Sequence, residues 1–239
     1  MKKLFLLTCA LVAMATSAVG ATIPFASPLF SGQEGPGTVY YELNTVTKEA
    51  TVVRGTWEYT GTVVIPDEVE YENEPYRVTT IGKGGSDLEK NATFYYCYAL
   101  NEVLLGANVK TIRTNAFYRC GSKDVPVMIN FDSDGLEVIE SNAIREVVLK
   151  GNADGGKTLL FGKNIRQLGP DAATSTSNWN SWGGMYNITA FKVADGNTAL
   201  STDANDVLYN ADKTILISYP KYKDDLTTYE IPTTVTTVR

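Results

Sequence analysis

Two thiols, a scatter of carboxylates and three aromatic residues in a polar loop are the side chains of this sequence whose types suit chemistry. Cys97 and Cys120 fit a redox pair or a nucleophile. A cysteine nucleophile wants an activating cation beside it, commonly an imidazolium, and the 239 residues contain no histidine. The same absence removes His-dependent triads, His-ligated metals and imidazole acid–base catalysis. The competing reading makes each cysteine a small buried hydrophobe, stacked one above the other and reduced, with a bridge between them left open. Asp132-Ser133-Asp134-Gly135 with Glu137 has the look of part of a calcium loop. It lacks the later ligands and the terminal glutamate, so a tight turn explains it more simply. No recognisable acid–base pair of carboxylates stands out, and the expectation is a protein that is not an enzyme and holds no cofactor or metal. Trp179, Trp182 and Tyr186 lie in a Ser/Asn/Gly-rich stretch. They suit stacking on sugar rings or anchoring a protein partner, or else folding back over the edge of the structure.

The elements that must position these residues begin after a leader. Lys2 and Lys3 precede an apolar run from Leu4 to Ala15, and Ala18-Val19-Gly20 supplies small residues before Ala21. This is the pattern of a cleaved export signal over residues 1–20, and the run is too short for the ~20 residues a membrane span needs. The protein is expected to be exported, to the cell surface or medium or into a periplasm. A formal charge of −6 argues against nucleic acid or anionic lipid as the main partner.

Beyond a segment expected to be flexible, 21–37, the chain repeats itself. Ile81, Ile112, Ile139 and Leu168 each follow an aliphatic residue three positions earlier, at Val78, Val109, Leu136 and Ile165, and recur about every 30 residues. Upstream of each lies an apolar pair at i and i+2: Val63/Ile65, Val103/Leu105, Ile129/Phe131 and Leu159/Phe161. Such alternation predicts a short half-buried strand. Deleting Lys83 to Lys90 places Phe94 and Cys97 at the offsets of Phe117 and Cys120, giving an underlying coil of about 23 residues. One such strand cannot bury its apolar side alone, whereas stacked coils about 4.8 Å apart form a continuous core.

Val63-Val64-Ile65-Pro66, Val78 to Gly82, Asn115-Ala116-Phe117, Cys120 and Cys97 to Leu100 together resemble the BspA-like class of leucine-rich repeats. That class occurs in surface and secreted proteins, many from anaerobic bacteria. The resemblance covers roughly Tyr40 to Arg239, and Phe191 to Pro220 is similar to a recurrent insert of the family. It implies a leucine-rich repeat solenoid, mostly β, with a parallel sheet of short strands. Residues 38–239 form the repeat domain, with an N-terminal capping hairpin at 38–60 and a loop-and-hairpin insertion at 171–220. The function it implies is non-enzymatic adhesion or recognition of extracellular or host proteins through the solenoid surface. Glycan binding around Trp179 and Trp182 is the alternative.

Within each strand pair the middle residue points outward. Those residues are Val64, Leu104, Asn130, Leu160 and, in a final unit, Glu230. Val64, Leu104 and Leu160 would form an apolar stripe, either a binding face or a surface covered by other chain. The final unit takes Tyr229/Ile231 as its strand pair and Val235/Val238 as its anchor, and breaks off inside the repeat at Arg239. The expectation is a fragment of a longer repeat protein, or a module whose open end pairs with another copy.

Overall fold

A computed structural model describes residues 21–26, 38–55, 58–85, 87, 91–169, 184–185, 188–220, 222–223 and 228–238. The leader and Trp179, Trp182 and Tyr186 lie outside the described residues. No helix among the described residues is long and apolar enough to cross a membrane.

The architecture is a β-solenoid whose coils have three sides. On the first side Gly61–Val64, Leu100–Leu104 and Met128–Ile129 pair in parallel, with Val63 opposite Val103 and Val103 opposite Ile129. Thr158–Phe161 and Ala190–Val193 continue as a separate parallel pair. On the second side an eight-stranded sheet carries the anchor residues. Ile81 lies opposite Ile112, Ile112 opposite Ile139, and Ile139 opposite Leu168. The third side is a column of turns over 91–98, 114–120 and 141–147.

The apolar period of the sequence drives this arrangement. Val103, Ile129, Leu159 and Phe191, with Ile65, Phe131 and Phe161, are almost fully buried in one continuous core. Phe131 and Phe161 stack with centroids 6.0 Å apart, and Phe161 and Phe191 at 6.4 Å. Each coil satisfies its backbone groups from the next, which the interior cannot leave unpaired. On the turn side Phe94 N–H donates to the carbonyl of Ala116 at 2.8 Å, and Phe117 N–H to that of Ala143 at 2.9 Å.

The capping hairpin is present. Thr38–Asn44 and Glu49–Val53 are antiparallel, and Asn44 Oδ1 accepts from the N–H groups of Val46 and Thr47, each at 3.0 Å. Glu49–Val53 then pairs in parallel with Glu74–Ile81, so the hairpin is itself part of the anchor sheet. Ala21–Ala26, within the segment expected to be flexible, is a strand antiparallel to Thr38–Asn44. The inserted hairpin is also present, as Leu208–Asn210 and Ile215–Ser218, with Lys213 at φ +56° in its turn.

Three features depart from expectation. Glu68–Tyr71 folds back on Glu74–Ile81 through Glu72 and Asn73, both at positive φ. Val148–Leu149 is an extra strand wedged between the third coil and the fourth; it bridges Val127 and pairs with Gly184–Met185. In the final unit, Tyr229 and Ile231 are not a strand pair, and Val238 does not extend the anchor column. Thr237–Val238 instead pairs in parallel with Ile215–Ser218, on the edge of the inserted hairpin. Tyr229 packs on Val207, Tyr209 and Leu216, while Ile231 and Val238 are 46% and 60% exposed.

Candidate interaction surface

The turn side fixes side chains in columns. Within Phe94-Tyr95-Tyr96-Cys97-Tyr98, the phenyl ring and the thiol point into the core and the tyrosines face outward or lie half-buried. In the next coil Phe117 and Cys120 are again buried, and Tyr118 is buried as well, leaving Arg119 as the outward side chain. Phe94 and Phe117 stack at 4.7 Å, with ring planes 12° apart. The inner row therefore anchors the outer one.

Cys97 and Cys120 are both free and buried. Cys97 Sγ accepts from the N–H of Tyr59 at 3.3 Å, and the Cys120 thiol donates to the carbonyl of Phe94. Burial, with Cys97 against it, pushes the Cys120 thiol up. Cys97 shifts the other way, lowered by its hydrogen bond with Cys120 against the cost of burial. Both thiols are enclosed, and an enclosed thiol packs as a small hydrophobe.

The other expected positions are scattered. Val64 and Leu104 are neighbours across one ladder and both are half-buried. Leu160 is in a different sheet, opposite Lys192, and its backbone N–H and carbonyl are both engaged by Asn152. Asn130 Oδ1 accepts from the N–H of Leu105 at 2.7 Å, so this residue ties one coil to the next. Glu230 is exposed outside any strand. Asp132 and Asp134 sit in a turn closed by Leu136 N–H on the carbonyl of Ser133. Asn152 donates to Asp132 Oδ1, and Lys163 pairs with Asp134.

What the sequence reading missed is a cluster of tyrosine and arginine over the first three turns. Tyr95 and Tyr118 stack at 5.8 Å, and Tyr96 meets both Tyr98 (5.5 Å) and Tyr118 (6.0 Å) edge-on. The Arg119 guanidinium lies 5.3 Å from the Tyr96 ring centre and 5.1 Å from that of Tyr118. Arg145 reaches Tyr118 at 5.3 Å, and Arg54 sits 4.3 Å over Tyr95. Glu146 pins the two central arginines: Arg119 Nε lies 2.5 Å from Oε2 and Arg145 Nε 3.4 Å from Oε1. The Tyr118 hydroxyl donates to the same carboxylate at 3.4 Å, and Arg119 Nη1 donates to the Tyr96 hydroxyl at 2.5 Å. The hydrogen bond from Arg119, helped by the charge of Arg145, holds the Glu146 carboxyl below its ordinary range.

The backbone beneath carries strain. Tyr96, Arg119 and Glu146 occupy one place in three successive turns, all at positive φ (56°, 56° and 55°). That region costs a non-glycine residue about 1–2 kcal/mol, and glycine would relieve it. Asn115 and Asn142, at φ 63° and 58°, also repeat, but asparagine tolerates the conformation. Positive φ at a non-glycine residue recurs in other turns of the chain, at Lys48, Glu72 and Lys213 among them, so here it fixes the shape of the turn column.

No protein-family model matches the chain, and no curated protein matches it. Among solved structures it is similar to a leucine-rich repeat protein from Eubacterium ventriosum, at 21% identity over 92% of this chain and 56% of that one (TM-score 0.41). It is also similar to the pneumococcal vaccine antigen PcpA, at 15% identity over 90% and 61% (TM-score 0.36). A leucine-rich repeat protein from Bacteroides ovatus matches at 20% identity over 65% and 39% (TM-score 0.38). The chain spans less than two thirds of the length of each.

Proposed function

We propose that this leucine-rich repeat solenoid, whose repeats resemble the BspA-like class, is an exported, non-enzymatic module that binds proteins outside the cytoplasm. The turn side is its contact surface. One observation carries the reading: a preordered group of tyrosines and arginines built outward from a rigid coil. Tyrosine and arginine dominate the binding energy of protein interfaces, because they present large contact area at low entropic cost. Here ring stacking, cation–π contacts and the Glu146 pin hold them before any partner arrives, which lowers the ordering cost of association.

The test is a panel of immobilised extracellular matrix and host-surface proteins, with a glycan array beside it. Wild type should bind within the protein panel, and Tyr98→Ala should lose at least ~90% of that signal, since hot-spot truncation costs about 2 kcal/mol or more. Tyr98 is 49% exposed, so the variant should keep its melting temperature. Binding confined to the glycan array, or protein binding indifferent to Tyr98→Ala, would overturn the reading.

A further inference from the structure

We infer that the surface formed by Arg119 and Arg145 over the buried Tyr118 ring accepts an acidic peptide segment of the partner, its carboxylates docking on the two guanidiniums. This rests on the proposed binding role of the turn side and names the chemistry of what it binds.

The charge balance carries the argument. The chain as a whole is acidic, at −6. The turn side reverses that locally. Arg119 and Arg145 share a single carboxylate, Glu146, and both engage it through Nε. One negative charge between two guanidiniums leaves one positive charge. Arg54 over Tyr95 and Glu58, whose charge acts on Tyr98 and Cys97, are of opposite sign and leave that balance unchanged. The Glu146 pin consumes the inner edge of each arginine. Arg119 Nη1 also donates to Tyr96, while the terminal nitrogens of Arg145 make no hydrogen bond among the described residues. A guanidinium held 5.3 Å from a tyrosine ring centre, with its terminal N–H groups unused, can take a second carboxylate in a two-pronged contact. The arginine side chains are 40% and 43% exposed, so an incoming chain reaches them without rearrangement. Tyr96 and the exposed Tyr98 extend the surface, offering rings against which the rest of the peptide can lie.

The experiment titrates the whole exported chain against fluorescein-labelled decapeptides. One alternates glutamate with alanine; a second replaces each glutamate by glutamine, and a third by lysine. The acidic peptide should bind at least ~10-fold tighter than the glutamine peptide, the worth of one charge-assisted contact. Its affinity should fall several-fold between 50 and 500 mM salt, because the contacts are solvent-exposed. Arg145→Gln should abolish the preference while leaving the circular dichroism spectrum unchanged, and Arg145→Lys should restore only part of it. Equal binding of the acidic and glutamine peptides would overturn the inference, as would an acidic preference that survives Arg145→Gln. Preferential binding of heparin with no peptide preference would overturn it too, in favour of a sulfated glycan. If Tyr98→Ala still abolishes binding in the protein panel while no acidic preference exists, the binding surface stands and only the acidic segment falls. If Tyr98→Ala changes nothing in either assay, both fall.

Discussion

Replacing Phe117 by alanine tests how the solenoid holds its turn side. The ring is fully buried and stacked on Phe94 at 4.7 Å, between coils whose backbones are tied by Phe94 N–H to Ala116 and Phe117 N–H to Ala143. Truncating a buried phenylalanine costs about 3–5 kcal/mol, the upper part where neighbours cannot collapse into the space. Phe94 and Ile144 hold the same place in the coils on either side and are themselves buried in the core, so little can move in to fill it. The loss should therefore be about 4 kcal/mol, a large share of the ~5–15 kcal/mol that stabilises a typical domain. With a urea slope near 3 kcal/mol per M for a chain of this size, the midpoint should fall by roughly 1–1.5 M. Each coil touches only its neighbours, so the damage should be local. Hydrogen exchange should speed up at the amides of Phe94, Tyr96 and Arg119, and far less at Ala194, which donates to Phe161 on another side of the core. A cost below about 1 kcal/mol, or uniform loss of protection along the chain, would refute a stacked, nearest-neighbour core.

Three further outcomes follow from particular contacts. A Cβ on Gly135 would lie 2.0 Å from the carbonyl oxygen of Ala107, which is backbone and cannot rotate away, so Gly135→Ala should cost about 1–3 kcal/mol in chemical denaturation. Gly155→Ala, with nothing within 4 Å but φ +65°, should cost only about 1 kcal/mol, and equal costs would contradict the close approach of coils two and three. Thiol labelling should reach Cys97 and Cys120 only after denaturation; rapid labelling of native protein would contradict their burial, and no free thiol after denaturation would reveal a bridge. Glu146 has a depressed folded pKa, so it contributes stability at pH values above its ordinary 4.5, lost as pH falls through the lower folded value. The melting-temperature gap between wild type and Glu146→Gln should be constant above about pH 5.5 and close below pH 4.5, whereas a gap that widens on acidification would reverse the assignment.

The parts of this fold that the sequence announces are those facing inward. Ile81, Ile112, Ile139 and Leu168 can be read as one column because burial demands the same residue class at each turn of the chain. Phe94 and Phe117, or Cys97 and Cys120, align for the same reason. Hairpins with an asparagine-led turn, at Asn44 and Asn210, were equally readable. The Glu72-Asn73 turn was not, because it reaches positive φ without the glycine that usually marks a tight hairpin. Val148–Leu149 was hidden because two residues pair outside the regular spacing. The tyrosine–arginine surface escaped notice for a different reason. Outward residues repeat no apolar class, and Tyr96, Arg119 and Glu146 share a column while sharing no chemistry until the coils place them side by side. The one signal was their position: they fill the outward places between the aligned phenylalanine and cysteine.

The central claim is that partners meet the turn side and not the strand side of the coil. A photo-crosslinking amino acid placed at Tyr98 in one variant and at Leu104 in another tests it directly, with the protein bound to its panel partner and then irradiated. The account predicts a covalent adduct from position 98 and none from position 104. An adduct from position 104 alone would move the interface to the apolar strand positions and contradict the assignment.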